Sequence, residues 1–414
     1  MKVFLQTYGC RANHADSEAV RGMLLATGAE LVRDSTQADA AVFNSCAVTR
    51  EAEADLRQGV RRAARSNPRL VTIVMGCAAA LDDGRIASLP TVRRVLAGAP
   101  IPDIARALGL DPARAAGAPV RQSGARALLR LQDGCDEHCT FCATTLARGA
   151  QRSRPAAAVV EEARILAEWH PEIVLTGVHI GSYGREHGCS LGALVTQLVR
   201  AVPGVRFRLS SIEATEVDAP LRELLTDPSS GVVPFLHAPL QSGADGVLRR
   251  MGRHWYTAAS YARAIERIVR DAPVFGLGAD VMAGFPGESD DDHAATLALV
   301  DALPFTTLHV FPYSEREGTA APRLGHRVAS TIIARRATEL RELSRLKGAA
   351  YRARRAGGRA DVIVIDGMGT AARRGLTEDG LSVRVSHPDC ERGGRFHAHL
   401  DDVSGVLFAR PAAG

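Results

Sequence analysis

At 414 residues the chain exceeds one ordinary domain and points to two or three. Hydrophobic residues make up 46% and charged residues 23%, a globular balance that excludes a collagen-like or broadly disordered chain. The net charge of +5 permits an acidic partner without requiring one, and no apolar run approaches the ~18 residues of a membrane span.

Apart from Lys2 and Lys347 the basic residues are all arginine. The arginine fork suits phosphate, although a compositional bias accounts for the same pattern. The opening stretch, Met1 to Thr7, lacks the long apolar core and cleavage site of a signal peptide, so a cytoplasmic location is expected.

In chain order, residues 3–7 read as a strand, 16–27 as a helix, 40–43 as a second strand, 52–65 as a helix and 71–75 as a third strand. This βα alternation predicts an N-terminal parallel-sheet domain over residues 1–98. Residues 99–125, rich in Ala, Gly, Pro and Arg around a short helical piece, read as a linker. Six strand candidates follow at 127–132, 173–176, 206–209, 232–237, 276–281 and 307–311, with amphipathic helices such as 155–169 and 257–271 between them. Six βα units over 126–328 suggest a barrel short of the eight units that close one; an open doubly wound sheet fits the same pattern. Residues 330–355 predict a charged helix within a connecting segment, 329–357. Short alternating runs at 360–365, 381–385, 396–400 and 405–408 then read as a small antiparallel β-barrel over 358–414.

Of eight cysteines, three form Cys135-x3-Cys139-x2-Cys142 in the loop after the first barrel strand. Clustered thiols in a reducing compartment point to metal or catalysis rather than disulfides. Three thiolates in one loop can wrap an iron–sulfur cubane and leave its fourth iron open, the mark of a catalytic centre. A structural zinc held by these cysteines and His138 is the alternative, at a spacing less usual for zinc. Cys10, Cys46 and Cys77 each follow a strand of the N-terminal sheet, so they can converge at one sheet edge. Gly9 and Gly76, directly before two of them, allow tight turns. Buried, inert cysteine is the alternative reading, and a second three-cysteine set in the chain favours a second cluster.

Cys-x3-Cys-x2-Cys is the signature of the radical-SAM superfamily. The segments Thr7-Tyr8-Gly9-Cys10-Arg11-Ala12-Asn13, Asn44-Ser45-Cys46-Ala47-Val48-Thr49 and Met75-Gly76-Cys77 resemble the N-terminal domain of its methylthiotransferases. The resemblance continues through Leu175-Thr176-Gly177-Val178-His179, Ser210-Ser211-Ile212-Glu213, Pro239-Leu240-Gln241-Ser242-Gly243, Gly284-Phe285-Pro286-Gly287-Glu288 and His309-Val310-Phe311-Pro312-Tyr313-Ser314. It is strongest with the branch acting on N6-threonylcarbamoyladenosine in tRNA. The isopentenyladenosine and ribosomal-protein branches match less well.

The resemblance implies an α/β protein with three parts: a Rossmann-like N-terminal domain, a partial (β/α)6 radical-SAM barrel and a C-terminal β-barrel of the TRAM type. It implies a 4Fe–4S cluster on Cys135, Cys139 and Cys142 that chelates S-adenosylmethionine, and an auxiliary 4Fe–4S cluster on Cys10, Cys46 and Cys77 that supplies or presents sulfur. A second S-adenosylmethionine would donate the methyl group.

Strand-end positions make Gly177, Glu213, Gln241 and Phe311 candidate S-adenosylmethionine contacts. Arg148 would neutralise the cluster or a phosphate, or simply be solvated. The run Arg335, Arg336, Arg341, Arg345, Lys347, Arg352, Arg354, Arg355 and Arg359 precedes the small barrel, and Arg352, Arg354, Arg355 and Arg359 are its RNA-binding candidates.

The expected partners are the tRNA anticodon stem-loop and an electron donor such as flavodoxin or ferredoxin, with no membrane and a monomeric chain. His237, His309 and His387 read as structural; Cys189 and Cys390 have no assigned role. One departure stands out: Ala143-Thr144-Thr145-Leu146-Ala147-Arg148-Gly149 lacks the proline and bulky apolar residues that usually follow the cluster cysteines, which would alter the cavity wall. The rival readings are methylthiolation of another tRNA adenosine or of a ribosomal protein and, in a different class, a non-catalytic zinc-containing RNA-binding protein.

Overall fold

Apolar runs bounded by turns make each strand of the N-terminal domain, and the amphipathic segments between them cover both sheet faces. In the computed structural model, which describes residues 1–47, 50–114, 121–270, 272–366, 373–385 and 390–412, the strands are β1 (Lys2–Thr7), β2 (Glu30–Val32), β3 (Ala40–Ser45), β4 (Val71–Gly76) and β5 (Val92–Ala97). Val48, Thr49, Asp271 and His387 lie outside the described residues.

The five strands are parallel in the order β2-β1-β3-β4-β5. Helices α1 (Arg11–Ala26) and α4 (Ile101–Ala107) bury Val20, Leu24 and Ile104 on one face, and α2 (Arg50–Ser66) buries Leu56 and Val60 on the other. A single turn, α3 (Cys77–Ala80), follows β4. The chain leaves β1 in one direction for β2 and then crosses back to β3, which places a switch point between β1 and β3 where crevices form.

The six barrel strands are β6 (Ala127–Arg130), β9 (Glu172–Thr176), β10 (Arg206–Leu209), β11 (Phe235–His237), β12 (Gly276–Ala283) and β13 (Thr307–Pro312). Between β6 and β9 the two-residue strands β7 (Gln132–Asp133) and β8 (Arg152–Ser153) clasp the base of a loop that ends in α5 (Thr144–Arg148). All six barrel strands are parallel, and isolated pairings of Phe207 with Val232 and Ser211 with His237 join the two halves.

Around the strands run α6 (Ala156–Ala167), α7 (Leu191–Ala201), α8 (Ala219–Thr226), α9 (Asp245–Arg250), α10 (Ala258–Val269) and α11 (Asp290–Ala302). Alternate strand residues such as Leu175, Phe207, Leu277 and Val281 pack into the apolar core beneath these helices. The other parity presents Glu172, Arg206, Arg208, His237, Asp280 and His309. An inner face this polar carries no second helix layer, so the open doubly wound alternative gives way to a partial barrel.

Helix α12 (Ser330–Arg355) leads into β14 (Arg359–Asp366), β15 (Arg373–Thr377), β16 (Ser382–Val385), β17 (Arg395–Val403) and β18 (Val406–Pro411), a closed barrel in the order β14-β15-β16-β18-β17. It plugs the end of the partial barrel where the strands begin. Arg206 donates to the Asp361 carbonyl at 2.6 Å, and Arg208 to the Thr377 carbonyl at 3.0 Å.

Both arginines also bind the fully buried Glu172, at 2.5 Å and 3.0 Å, and Arg126 reaches the same carboxylate at 3.0 Å. Burial pushes the Glu172 pKa up, but the guanidiniums outweigh it and hold the carboxyl well below its usual 4.5. Removing one partner of such a pair leaves buried charge uncompensated, so Glu172→Gln is expected to cost about 3–5 kcal/mol in urea unfolding of the apoprotein. A loss under about 1 kcal/mol would mean that the guanidiniums are effectively solvated. Because the folded pKa is the lowered one, the wild-type advantage is full above pH 4.5 and fades as the pH falls through the folded value, shrinking the gap between the two proteins.

Candidate active site

The first cysteine set assembles at the C-terminal edge of the N-terminal sheet. Cys10 caps α1, Cys46 follows β3 and Cys77 opens α3. Asn13, buried one turn into α1, organises them: its Oδ1 lies 3.8 Å from the sulfurs of both Cys10 and Cys77, while its Nδ2 donates to the carbonyls of Tyr8 and Ser45. Gly9 (φ +105°) and Gly76 (φ +98°) hold left-handed backbone here. A Cβ on Gly9 would strike Cys46, and one on Gly76 would strike Asn44 and Ser45.

Arg148 reaches this set from the barrel. Its side chain is 3% exposed; Nε donates to Cys77 Sγ at 3.1 Å, one terminal nitrogen binds Asn13 and Asp16 at 2.8 Å each, and the other binds Asp133 at 3.0 Å. Burial pushes the Cys77 thiol up to about 11, with Arg148 pulling the other way. The solvated alternative for Arg148 therefore does not hold.

The second set sits in the loop after β7. Gln132, fully buried, ties that loop to the one after β9: its amide donates to the Gly134 carbonyl at 2.6 Å and accepts from the backbone of Val178 and His179. Arg253 lies 3.5 Å from Cys139 Sγ and pairs with Glu213; burial pushes the Cys139 thiol up to about 12 against that cation. His179 stands 3.7 Å from Cys135 Sγ and 2.9 Å from Glu216. Burial alone would lower the His179 pKa, but these two partners raise it to about 10, so the ring is a cation. Positive groups thus meet sulfur at Cys77, Cys135 and Cys139, the compensation that thiolates holding an anionic cluster need.

Both sets open on one cavity of about 630 Å³, with Cys77 and Cys142 in its wall beside Gln241, Asp280, Met282 and Phe311. Gln241 takes φ +62°, a strained setting for a non-glycine residue, and lies with Phe311 on the cavity wall. Glu213 pairs with Arg253, yet its Oε2 is buried without a hydrogen-bond partner, as are Thr176 Oγ1 and Ser210 Oγ at neighbouring strand ends. Such orphaned polar atoms fit a polar cofactor laid across the strand ends. A Cβ on Gly177 would sit 2.8 Å from the Gln132 carbonyl and from Ile180, so packing there leaves no room for a side chain. The departing stretch contributes Ala143 and Thr144 to the cavity wall, whereas Leu146 faces the neighbouring hollow and is 53% exposed.

Of the basic run, two members are not available to RNA. Arg336 is buried on Glu288 at 3.0 Å, and Arg355 is buried on Asp379 at 2.8 Å and Glu378 at 2.9 Å. Arg355 therefore anchors the small barrel rather than facing phosphate. Arg345 pairs with Glu342, and Arg335 with Asp290 and Glu339. Arg354, stacked 5.2 Å from the Tyr351 ring centre, and Arg359 are exposed, and Arg352 is half-buried.

Sequence reasoning assigned no role to Asn13, Gln132, His179 or Arg253, although Asn13 and His179 lie within the segments that carry the resemblance. His237 and His309, read as structural, meet around Asp280 at 3.0 and 3.4 Å.

Comparisons with known proteins agree with this layout. The model of the uncharacterized protein family UPF0004 matches residues 2–98, and that of the radical SAM superfamily matches residues 129–300. A threonylcarbamoyladenosine tRNA methylthiotransferase, MtaB, of Aquifex aeolicus is 30% identical over 403 residues, covering 93% of this chain and 96% of its own length. MtaB of Bacillus subtilis is 34% identical over 362 residues, covering 83% and 80%. A tRNA-2-methylthio-N(6)-dimethylallyladenosine synthase of Chlorobium luteolum is 32% identical over 432 residues, covering 99% and 96%. Among solved structures, the radical S-adenosylmethionine methyltransferase TsrM of Kitasatospora setae aligns at a TM-score of 0.57 with 14% identity, over 89% of this chain and 79% of its own, a likeness of fold.

Outer partners of metal ligands typically carry about 10–100-fold in metal affinity. Arg148→Met is accordingly expected to weaken iron binding at Cys10, Cys46 and Cys77 by about that factor while sparing Cys135, Cys139 and Cys142. Iron and sulfide analysis with electron paramagnetic resonance after anaerobic reconstitution reads this, and undiminished iron would confine Arg148 to clamping the two domains together.

Proposed function

The chain belongs to the radical-SAM methylthiotransferases, and we propose that it inserts a methylthio group at C2 of N6-threonylcarbamoyladenosine beside the tRNA anticodon. Family membership brings S-adenosylmethionine and iron–sulfur as cofactors. The observation that carries the reading is the single cavity whose wall includes one cysteine from each set, Cys77 and Cys142. A sulfur source and a radical source that open on the same space can act on one adenine without moving it between sites.

In this reading Cys135, Cys139 and Cys142 hold the catalytic 4Fe–4S cluster, and Cys10, Cys46 and Cys77 hold the auxiliary one. When bound, these groups supply the carbon radical that removes hydrogen from C2 and the sulfur that replaces it, with a second S-adenosylmethionine as methyl donor. The chain's own part is positional. Gln132 pins the catalytic loop to the strand ends, and His179 and Arg253 offset negative charge at its sulfurs. Met282 and Phe311 give the wall apolar surface that keeps water from a reactive carbon centre.

The anticodon stem-loop is taken as the macromolecular partner, with Arg352, Arg354 and Arg359 available to its phosphates. A low-potential flavodoxin or ferredoxin serves as electron donor to a monomeric enzyme in the cytosol, the reducing compartment that open thiol sets require. No helix among the described residues is long and apolar enough to cross a membrane.

Mass spectrometry of tRNA nucleosides from cells with and without the gene tests the assignment. Loss of 2-methylthio-N6-threonylcarbamoyladenosine with accumulation of its unthiolated precursor is expected; persistence of every methylthio nucleoside would refute it and turn attention to ribosomal proteins. In the purified enzyme, Cys135→Ala is expected to abolish S-adenosylmethionine cleavage, whereas Cys46→Ala keeps cleavage and loses methylthiolated product. Equal product from the two variants contradicts the division of roles.

A further inference from the structure

On the inner face of the partial barrel, Asp280 of β12 and His309 of β13 stand side by side in register, and two residues further on Met282 pairs with Phe311. Asp280, Met282 and Phe311 line the cavity that Cys77 and Cys142 share. His237 comes from β11 on the other side, where it pairs with Gly278, two residues before Asp280. Residues two apart on a strand share a face, so the bare Gly278 is the gap across which the His237 ring reaches Asp280. A Cβ on Gly278 would lie 2.7 Å from His237 Nδ1 and close that gap.

Both rings meet a single oxygen. His237 Nε2 lies 3.0 Å and His309 Nδ1 3.4 Å from the same Asp280 Oδ1, and the three donor atoms fall within 4.8 Å of one another. Around a metal with bonds of about 2.1 Å, neighbouring donors stand about 3.0 Å apart in an octahedron and about 3.4 Å apart in a tetrahedron. The two carboxylate–imidazole edges already have those lengths. His309, whose side chain is 60% exposed, has room to turn and close the third edge. Among the described residues no arginine or lysine stands at ion-pair distance from Asp280, whose partners are the two imidazoles. Neutral imidazole is the commonest metal ligand among side chains.

We propose that His237, Asp280 and His309 form a mononuclear site for a divalent first-row metal ion, separate from both cysteine sets. Two imidazoles and one carboxylate suit iron(II), manganese, cobalt or zinc, whereas thiolates suit iron–sulfur cores. On binding, the ion replaces the hydrogen bonds to Asp280 Oδ1, and each neutral ring carries its proton on the nitrogen turned away from the metal. Three protein ligands leave coordination positions open. Because Asp280 lines the cavity, those positions face it. One carboxylate against a divalent ion leaves a single positive charge, so the open positions take oxygen donors, either water or an anionic oxygen of the molecule held in the cavity.

The test titrates reconstituted holoenzyme with Mn2+ and counts the free ion by electron paramagnetic resonance. Manganese is the probe because it prefers oxygen and nitrogen donors to thiolates. One Mn2+ per chain is expected to bind, and Zn2+, higher in the affinity order, is expected to displace it. His309→Ala and Asp280→Asn are each expected to weaken binding by about tenfold or more, since even the outer partners of a metal carry about 10–100-fold. Iron and sulfide content equal to wild type shows that these variants keep their fold. Pulsed electron paramagnetic resonance of the ion bound to wild type is expected to show nitrogen coupling from imidazole, a readout that needs no variant. Failure of wild type to bind either Mn2+ or Zn2+ overturns the proposal. So does wild-type affinity in either variant, or a bound ion without nitrogen coupling, which would place it on surface carboxylates.

Discussion

The buried guanidinium of Arg148 is the constraint around which the two halves of the site are arranged. It belongs to the helix that ends the Cys135–Cys142 loop, yet its partners Asn13, Asp16 and Cys77 belong to the N-terminal domain. A charge this deeply enclosed cannot be left without partners, because an uncompensated buried ion costs several kcal/mol or more. The two domains are therefore held at one separation, and that separation sets the distance between the two cysteine sets. Asp133 adds to the clamp: it binds both Arg148 and Arg130, and Arg130 in turn pairs with Asp16 across the same interface.

At the opposite end of the strands Glu172 plays the corresponding part for the C-terminal barrel. Three arginines around one carboxylate leave guanidinium nitrogens to donate elsewhere, and the carbonyls of Asp361, Leu376 and Thr377 accept them. Tyr351 and Arg355, at the end of α12, close on Asp379 from the other side. The small barrel is thus seated by buried polar contacts, which fix orientation more strictly than an apolar face of equal area.

Much of this was readable in the chain. Periodicity placed the strands and helices that pack one clear apolar face, α12 at its observed bounds Ser330–Arg355 among them, because side-chain alternation and helical spacing are local properties. The elements it overlooked share a cause. β2 is three residues long, and β5 and β15 carry paired arginines, Arg93-Arg94 and Arg373-Arg374, that break the apolar run. β2 and β5 are edge strands, stabilised by pairing on one side and needing little apolar surface of their own. Helix α1 starts five residues before the expected position because its first two turns are polar, with Asn13 and Asp16 buried among them.

What the sequence determined by itself was chemistry that depends on residue type and spacing: two three-cysteine sets, the glycines beside them, the α/β order of the domains and the family resemblance. What only the tertiary structure decided was which charges meet. Arg148 and Arg354 are alike as letters, but one is sealed among two carboxylates and a thiol while the other lies exposed on a tyrosine ring. Arg355, one residue further on, is buried on Asp379. Partners such as Asn13 and Arg148 stand 135 positions apart. No local pattern encodes such a pairing, because Coulomb energy and dehydration depend on distance and burial in space rather than on order along the chain.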